Sequence, residues 1–431
     1  MERIDIGLVG FGTVGSGVVK ALKVHANLLK KKLGVQIHLK KICDVNLRRK
    51  RIVQVSPAVL SRNVKEILDD PQIKIVLELI GGIHPAKEII LQALERKKHV
   101  VTANKALLAD CGEEIFQAAK VNQSQVQFEA SVGSGIPIVK ALRESLLANR
   151  IQSIYGIVNG TSNYILSQMA QMNWDFRQAL KIARQKGYAE KNPSLDLKGI
   201  DSAHKLVILV ALGFGRWITL EQIHIEGITD ISLNDITYAQ ELGYTIKPLA
   251  IAKCEQDELE LRVQPTLIPH EHLLSSVNGN YNAIYIRGDL IGEQAFYGEG
   301  AGQFPTASAV ISDIADLVYA LQSKVQPVKP CLLYKGNIRR VRQIKEINSC
   351  YYIRFMAIDR PGVLAIISGI LGQHKISIAS VSQKARKRAK IVPIVMMTHE
   401  ASERSLRLAL EKIDRLENIR RKTVAIRVEQ L

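Results

Sequence analysis

The sequence predicts an α/β protein in three parts: a doubly wound parallel sheet, an α+β domain and a C-terminal βαββαβ domain. Three observations lead to this prediction. Strand-like and helix-like segments alternate over roughly the first 130 residues, and a glycine-rich turn directly follows the first strand. The last 80 or so residues, roughly counted, run through the order strand–helix–strand twice.

The first part alternates apolar strands with amphipathic helices. The predicted strands are Ile4–Gly10, Val35–Cys43, Ile73–Ile80 and His99–Thr102. The predicted helices are Thr13–Lys30, Pro85–Arg96 and Glu113–Val121. Strands separated by helices form βαβ units, which build a parallel sheet with helices on both faces. We therefore expect residues 1–135 to form a dinucleotide-binding domain.

The middle of the chain has a mixed pattern. Helices are expected to dominate from Ile136 to Thr237, and the predicted strands that follow are Lys247–Lys253, Leu259–Leu267 and Asn282–Arg287. This pattern indicates a second domain at 136–300, which would bind the substrate and support oligomerisation. A helix at Pro305–Leu321, with proline in its first turn, would let residues 300–325 pack back on the first domain.

The C-terminal part is set off by a connector. Residues 326–348 are rich in proline and charge, which is typical of a linker. The strands predicted after it are Tyr351–Ala357, Ile376–Gln383, Ile391–Thr398 and Thr423–Val428. The helices predicted between them are Gly362–Gln373 and Glu403–Leu416. This order predicts a ferredoxin-like βαββαβ domain at 349–431.

Composition excludes several classes of protein. Of the 431 residues, 47% are hydrophobic and 23% are charged, as in ordinary folded proteins. The five cysteines are scattered without a CxxC pair, which disfavours a disulfide framework or a zinc site. We see no secretory signal, and the longest apolar run, near Leu206–Phe214, is far below the ~18 residues that span a bilayer. We expect a cytoplasmic protein without a membrane partner.

The strongly basic balance has a simple interpretation. The net charge is +18, but the basic residues are dispersed along the chain, which disfavours nucleic-acid binding and favours a basic surface that attracts anionic ligands. One local cluster, Lys384–Lys390, is predicted to be an exposed hairpin loop, and its sequence does not identify a partner.

The glycine-rich turn predicts a dinucleotide site. It fits GxGxxG and consists of Gly10, Phe11, Gly12, Thr13, Val14 and Gly15. Because this turn lies between a strand and a helix, we expect a Rossmann-type sheet whose helix N-terminus faces the pyrophosphate. Asp44, at the end of the second strand, is placed for the ribose hydroxyls and favours NAD. Arg49, one of four cations that follow it, would favour the 2′-phosphate of NADP, so the choice of cofactor stays open.

Two polar segments are candidates for chemistry. Lys105 follows the fourth strand, at the sheet edge where ligands bind in open α/β folds, although most lysines are simply surface cations. Asp201 and Lys205 are spaced i,i+4 at the start of a helix that is otherwise almost entirely apolar. They form either an ordinary helix salt bridge or a cleft pair that binds an ammonium group and exchanges a proton.

Six motifs resemble those of the homoserine dehydrogenase family. They are GLVGFGTVGSGV (7–18), VTANKALLA (101–109), FEASVGSGIPIVKALRESL (128–146), GIVNGTSNYIL (156–166), KGYAEKNPSLDLKGIDSAHKLVIL (186–209) and YGEGAGQFPTASAV (297–310). They extend over roughly 1–325, and several are specific to this family rather than to dinucleotide-binding proteins in general. The segment from Asp359 onward resembles an ACT domain, as carried by the longer form of the enzyme.

The resemblance implies interconversion of L-homoserine and L-aspartate 4-semialdehyde, a step towards threonine and methionine. It implies that Lys205 is the general acid and that Lys105 lies beside the nicotinamide and the substrate. The expected substrate-binding residues are Glu190, Asp201, Asp196 and Gly187. Further residues expected at the cofactor are Gly81, Lys105 and Gly302.

The resemblance also implies other ligands and partners. A monovalent cation, such as sodium, would bind Glu129 and the backbone carbonyls of Val132, Ser134 and Ile136; serine is unusual at position 134 in this motif. An amino acid such as threonine would act as effector at the ACT domain, unless that domain serves only for assembly. A homodimer or homotetramer is expected.

Two other functions compete with this one. An aldehyde dehydrogenase that forms an acyl-enzyme needs an activated cysteine, and Cys111 has no evident activating partner in the sequence. A non-catalytic sensor of NAD(P) and amino acids would keep the glycine-rich turn and the ACT domain. It would have no need for Lys105, Glu190, Asp201 and Lys205 together.

Overall fold

The computed structural model describes residues 3–323, 335–383 and 391–431. Backbone contacts divide the chain into two compact units. The first unit comprises Met1–Ile154, Asp201–Leu220 and Tyr281–Ile338. The second unit comprises Tyr155–Ile200, Glu221–Asn280 and Arg339–Leu431. The predictions for the basic segment 384–390 and for the first part of the connector 326–348 fall on residues outside the described ranges.

The strands, in chain order, alternate with helices in the N-terminal third. They are β1 Arg3–Val9, β2 Gln36–Cys43, β3 Leu60–Ser61, β4 Ile73–Glu78, β5 His99–Thr102, β6 Val126–Gln127, β7 Ile151–Ile157, β8 His224–Ile225, β9 Tyr244–Glu255, β10 Glu258–Pro269, β11 Tyr281–Gly288, β12 Gly292–Glu299, β13 Arg340–Val341, β14 Asn348–Ile358, β15 Ile378–Ser382, β16 Ile391–Thr398, β17 Ala401–Ser402 and β18 Ile419–Val428.

The α-helices connect these strands. They are α1 Thr13–Val24, α2 Ala26–Leu33, α3 Lys65–Leu68, α4 Ala86–Glu95, α5 Lys105–Val121, α6 Ile138–Lys140, α7 Gly160–Met172, α8 Phe176–Gln185, α9 Ser194–Leu197, α10 Ile200–Phe214, α11 Leu233–Glu241, α12 Gln303–Ser323, α13 Val363–Gln373 and α14 Glu403–Asp414.

In the first unit, the described residues form a parallel sheet in the order β3-β2-β1-β4-β5-β6. This order confirms the predicted Rossmann-type sheet. The central strands are apolar on both faces because helices cover both sides; Ile6, Leu8, Ile75 and Leu77 are all fully buried. The sheet places the carboxyl ends of β1, β4 and β5 next to one another.

Helix α12 packs against this sheet. Its buried side chains Val310, Ile314 and Leu317 share one core cluster with Ile6 and Leu8 of β1. The helix is long and apolar enough to cross a membrane by length and composition. Its packing in the core of the first unit accounts for that apolar character.

In the second unit, the described strands form a sheet in the order β9-β10-β18-β14-β16-β15. The last four strands, with α13 and α14, reproduce the βαββαβ order and confirm the predicted C-terminal fold. Strand β18 pairs in parallel with β10 through Arg427 and Val428, so one sheet continues from the substrate region into the C-terminal domain. A single core cluster accordingly contains Tyr164, Ile426 and Tyr352.

A buried ion pair lies at the junction of α11 and β14. Asp235 is fully buried and accepts hydrogen bonds from Arg354 Nε (2.6 Å) and Arg354 Nη2 (3.0 Å). The Tyr352 hydroxyl (3.1 Å) and the Ser232 hydroxyl (2.6 Å) donate to the same carboxylate. Asp235 therefore joins the helix that it caps to the first strand of the C-terminal domain.

Several elements differ from the prediction. The predicted helix Thr13–Lys30 is divided at His25, whose backbone leaves the helical region, into α1 and α2. Among the described strands, β3, β6, β7, β8, β12, β13 and β17 were not predicted. Five of them are only two residues long, and β12 is largely exposed and mixes polar with apolar residues. For β7, a short apolar run does not distinguish a strand from a buried helix turn.

The predicted domain boundaries at 135 and 300 stay a prediction. The compact units follow other limits: α10 and the hairpin β11–β12 belong to the first unit, and the C-terminal domain belongs to the second. Contacts between residues that are distant in the sequence set the limits of the units, and local sequence patterns carry no information about such contacts.

Candidate active site

The dinucleotide loop leaves no space for side chains at two of its three glycines. Gly10 has φ 99°, and a Cβ there would lie 2.6 Å from the Leu79 carbonyl. A Cβ on Gly15 would lie 2.1 Å from the Gly10 carbonyl oxygen, so α1 packs tightly on the turn. A Cβ on Gly12 would approach only Arg49 Nη1, at 3.7 Å. The face of the loop at Gly12 is therefore open, as a site for pyrophosphate requires.

Asp44 supports the loop directly. Its Oδ2 accepts a hydrogen bond from Phe11 N (2.6 Å), and its Oδ1 accepts one from Asn46 N (2.7 Å). Arg51 braces the same turn: its Nε donates to the Phe11 carbonyl (2.7 Å), and its guanidinium lies 4.4 Å from the centre of the buried Phe11 ring. Phe11 therefore contributes backbone rather than side chain to this site. Arg49, beside Gly12, is exposed.

Two lysines converge on one carboxylate in the first unit. Lys205 Nζ lies 2.7 Å from Asp201 Oδ2, and Lys105 Nζ lies 2.9 Å from Asp201 Oδ1. Lys205 and Asp201 are buried on the first turns of α10, whereas Lys105, the first residue of α5, has 42% of its side chain exposed. The sequence interpretation of an isolated helix salt bridge is thus incomplete, because a third group from another element joins the pair.

The two ammonium groups control the charge of Asp201. Burial alone would raise the pKa of Asp201, but the positive charges of Lys205 and Lys105 outweigh it and hold that pKa well below its usual range. Asp201 is therefore an anion at neutral pH. Its charge keeps both Nζ atoms close together at the edge of the parallel sheet.

The remaining predicted substrate residues lie in the second unit, Gly187 and Glu190 between α8 and α9 and Asp196 within α9. Gly187 has φ 76°, and Glu190 is exposed. Asp196 Oδ1 accepts a hydrogen bond from Asn159 Nδ2 (2.7 Å), the N-cap residue of α7. Asn159 was not singled out in the sequence, although asparagine before a helix is a recognisable N-cap signal.

The predicted cation residues surround a turn in the first unit. The Glu129 carboxylate accepts hydrogen bonds from Val139 N (2.9 Å) and Lys140 N (2.8 Å), and burial raises its pKa. Ser134 has φ 44°, a strained conformation for serine, in the turn between Val132 and Ile136. All four predicted cation residues therefore lie on one short segment of the first unit.

The last two predicted cofactor residues are glycines with positive φ. Gly81 has φ 78° and follows β4; a Cβ there would meet no atom within 4 Å, but the positive φ would strain any other residue. Gly302 has φ 133°, and its carbonyl accepts a hydrogen bond from Thr306 Oγ1 (2.6 Å) at the start of α12. Both therefore lie at backbone positions that favour glycine.

Comparison with known families covers most of the chain. Residues 10–129 match the profile described as homoserine dehydrogenase, NAD binding domain, and residues 137–315 match homoserine dehydrogenase. The chain belongs to the homoserine dehydrogenase family. Residues 351–418 match the ACT domain. The family predicted from the six motifs, and its C-terminal ACT domain, are thereby confirmed.

Individual relatives agree with this assignment. A homoserine dehydrogenase of Synechocystis sp. is 44% identical over 99% of both chains. The crystal structure of a homoserine dehydrogenase from Thiobacillus denitrificans has a TM-score of 0.92 and 41% identity, and it covers 100% of this chain and 99% of its own. A hyperthermophilic archaeal homoserine dehydrogenase in complex with NADPH has a TM-score of 0.63 and 25% identity, covering 75% of this chain and 99% of its own.

The family decides between the functions that the sequence left open. Members are NAD(P)-dependent oxidoreductases, so the prediction of an enzyme with a nicotinamide cofactor is confirmed, and the non-catalytic sensor is not favoured. The acyl-enzyme alternative is also disfavoured by the site. Burial raises the pKa of the Cys111 thiol and outweighs the nearby Lys87 charge, whereas a nucleophilic cysteine needs a lowered pKa.

A pair of glycine variants tests the dinucleotide loop. We expect Gly12→Ala to weaken NAD(P) binding at least about tenfold, because the added methyl occupies the open face, while the midpoint of thermal unfolding stays unchanged. Gly15→Ala is the matched control: its methyl would meet the Gly10 carbonyl, so we expect both stability and binding to fall. Fluorescence titration with NADPH and thermal unfolding measure the two effects. A Gly12→Ala protein with undiminished affinity would contradict the assignment.

Proposed function

We propose that Lys205, Lys105 and Asp201 form the catalytic group that interconverts L-homoserine and L-aspartate 4-semialdehyde. The observation that supports this role is the convergence of both Nζ atoms on the Asp201 carboxylate, within 2.9 Å. When bound, NAD(P) would supply the hydride-transfer chemistry of this reaction. The glycine-rich loop and the carboxyl ends of β1, β4 and β5 would hold it.

Lys205 exchanges the proton in this proposal. During aldehyde reduction negative charge develops on the substrate oxygen, and an ammonium group beside it both stabilises that charge and supplies the proton. Asp201 keeps Lys205 in place and stays ionised throughout, since its pKa lies well below neutral pH. Lys105, more exposed than Lys205, lies at the cofactor side and orients the substrate.

Carboxylates bind the amino group of the substrate in this proposal. Glu190 and Asp201 would contact the ammonium, with Asp196 supporting them and Gly187 lining the cleft. Within the second unit, the hydrogen bond from Asn159 fixes the Asp196 carboxylate to the start of α7, which supports a defined position for Asp196. Glu190 is exposed and therefore accessible to a ligand.

The activity itself is tested with purified protein. L-homoserine should reduce both NADP and NAD in a spectrophotometric assay, and L-aspartate 4-semialdehyde should oxidise NADPH. A protein that binds the cofactor tightly but turns over neither substrate would support the sensor instead.

For the choice of cofactor, we propose that the enzyme accepts both but prefers NADP to NAD, and that Arg49 binds the 2′-phosphate of NADP. Both carboxyl oxygens of Asp44 already accept backbone hydrogen bonds, so this acid is less available to a ribose than its position in the sequence suggests. Arg51 is buried against Phe11, whereas Arg49 is exposed beside Gly12 and can approach a phosphate.

The change Arg49→Ala tests this preference. We expect KM for NADP to rise about 10- to 100-fold, the effect of losing one charge-assisted hydrogen bond, while KM for NAD changes less than about twofold. Lys50→Ala, at the exposed neighbouring position, is the matched control and should leave both values unchanged. An equal rise in KM for NADP and for NAD would contradict the role of Arg49.

We also propose a monovalent cation at Glu129, with the carbonyls of Val132, Ser134 and Ile136. Within the described ranges, no group of three or more His, Cys, Asp and Glu side chains is placed to hold a metal ion, so such a cation would depend on backbone oxygens. The burial of the Glu129 carboxyl group supports the proposal: burial raises its pKa, and a bound cation would stabilise the charged form.

Regulation and assembly complete the proposal. An amino-acid effector such as threonine would bind the ACT domain, and the enzyme would act in the cytoplasm as a homodimer or homotetramer. The residues on either side of the first helical position, Gly362 (φ 87°) and Leu364, are exposed at the N-terminus of α13, which supports an effector site because helix N-termini bind carboxylates. The effector regulates the enzyme only if its affinity differs between two conformational states of the enzyme.

A further inference from the structure

A buried glutamate at the end of β4 has no part in the site described so far. Glu78 is fully buried, and its carboxyl oxygens accept hydrogen bonds from Thr102 Oγ1 (2.6 Å), Ile80 N (2.9 Å) and Gly81 N (3.4 Å). Across the described ranges, it forms no ion pair with Lys, Arg or His. A carboxyl group that is buried among neutral donors alone is costly, which points to a specific role for this geometry.

Thr102 connects Glu78 to the helix that carries Lys105. The Thr102 hydroxyl donates to Glu78 and accepts from Asn104 N (3.0 Å). The Asn104 side chain accepts from Leu107 N (3.2 Å) and so caps α5, whose first residue is Lys105. A continuous series of hydrogen bonds therefore runs from Glu78 to the N-terminus of α5.

The same series fixes two further loops. Asn104 Nδ2 donates to the Gly82 carbonyl (2.6 Å), so the loop after β4 and the loop after β5 are joined. The segment after Glu78 also contacts the dinucleotide loop: Leu79 N donates to the Val9 carbonyl (2.8 Å), and the Leu79 carbonyl lies against Gly10. Glu78 thus joins the carboxyl ends of β1, β4 and β5, the edge at which open α/β sheets bind ligands.

We propose that Glu78 is a positioning residue, which holds Lys105 and the Ile80–Gly82 loop in the geometry that the reaction needs. Glu78 is fully buried and both of its carboxyl oxygens already accept hydrogen bonds within the protein, so it acts through Thr102 and Asn104. Misplacement of a reacting group by about 1 Å costs about 100-fold in rate. The inference rests on the proposed role of Lys105.

The isosteric variant Glu78→Gln tests the proposal. Glutamine keeps the side-chain volume but places an amide N–H₂ group opposite the hydrogen-bond donors that now face the carboxylate. We therefore expect kcat to fall about 10- to 100-fold and KM for L-homoserine to change less than about threefold. In a Lys105→Ala background the same change should have less than about a twofold further effect, because a positioning residue has nothing left to position. Thr102→Val should behave like Glu78→Gln, and Thr102→Ser, which keeps the hydroxyl, should restore kcat.

The possible outcomes separate the two proposals. If Glu78→Gln lowers kcat by the same factor in the wild type and in the Lys105→Ala background, its effect is a general structural one, and the positioning role is overturned. An active wild type with an unaffected Glu78→Gln enzyme would overturn it as well, and would leave the proposed roles of Lys105 and Lys205 intact. If Lys105→Ala alone keeps full activity, the role of Lys105 fails, and the inference fails with it. If Glu78→Gln does not fold, the Thr102→Val and Thr102→Ser pair decides by the same criteria.

Discussion

Replacing Lys205 by alanine is expected to lower kcat for L-homoserine oxidation about 1,000-fold, since general acid–base catalysis contributes about 10²- to 10⁴-fold. The affinity for NADPH should stay within about twofold, because the dinucleotide loop lies on β1 and α1 rather than on α10. Steady-state kinetics with NADP and fluorescence titration with NADPH measure the two quantities.

Lys205→Arg is the matched control for charge. Arginine keeps a positive group near Asp201 but does not release a proton at neutral pH, so its kcat should be nearly as low as that of Lys205→Ala. Activity that survives in Lys205→Ala would assign the proton exchange to Lys105 or to a water molecule. Activity that is restored in Lys205→Arg would show that charge alone is sufficient.

Replacing Asp235 by alanine is expected to lower the free energy of unfolding of the second unit by about 3–5 kcal/mol. The change leaves the buried Arg354 guanidinium without its carboxylate, and breaking a buried ion pair from one side has a cost of this size. The two tryptophans lie in different units, Trp174 in the second and Trp217 in the first. In a Trp217→Phe background, urea unfolding followed by Trp174 fluorescence therefore reports on the second unit.

Two further variants control this measurement. Glu346→Ala removes the exposed partner of Arg340 in the same unit and should leave the urea midpoint unchanged. Adding Arg354→Met to Asp235→Ala should recover part of the loss, because the unpaired charge is then gone. A midpoint for Asp235→Ala equal to that of Glu346→Ala would contradict the importance of the buried pair.

The catalytic group shows how far local patterns reach. The i,i+4 spacing of Asp201 and Lys205 on an apolar helix predicted one pair correctly, because helix geometry fixes the neighbours of a residue three or four positions away. The contact between Lys105 and Asp201 joins α5 to α10 across 96 positions of the chain (201 − 105). No local pattern encodes such a contact; only the resemblance to a family suggested that the two residues lie near each other.

Glu78 illustrates a signal that was present but not used. It is a single acid in the apolar run Ile75–Ile80, in front of two glycines and at the end of a parallel strand. The pattern indicates a buried polar residue near the ligand edge of the sheet, but it does not identify the partners. Those partners, Thr102 and Asn104, depend on the strand order, which places β5 beside β4.

Fold class was more accessible than strand pairing. Alternating apolar segments were sufficient for a parallel sheet with four of the six strands described in the first unit, β1, β2, β4 and β5, and for the order of the main elements after Asn348. The pairing of β10 with β18 joins strands about 160 residues apart, and nothing in either strand specifies the other. The resemblance to known families likewise indicated an ACT domain, but it did not show that this domain pairs with β10.

Because β10 and β18 belong to one sheet, deletion of the ACT domain would change more than regulation. Removing β14 to β18 would uncover an edge of β10 at Thr266 and Leu267, and exposed strand edges promote aggregation. It would also remove Arg427 from Glu226. Burial alone would raise the pKa of Glu226, but the hydrogen bond to His224 and the charge of Arg427 together hold that pKa at about 2. A truncated enzyme would thus report on a damaged scaffold rather than on a catalytic part freed from its regulator. Single substitutions at the proposed effector site, near the start of α13, would separate regulation from catalysis without removing strands from the sheet.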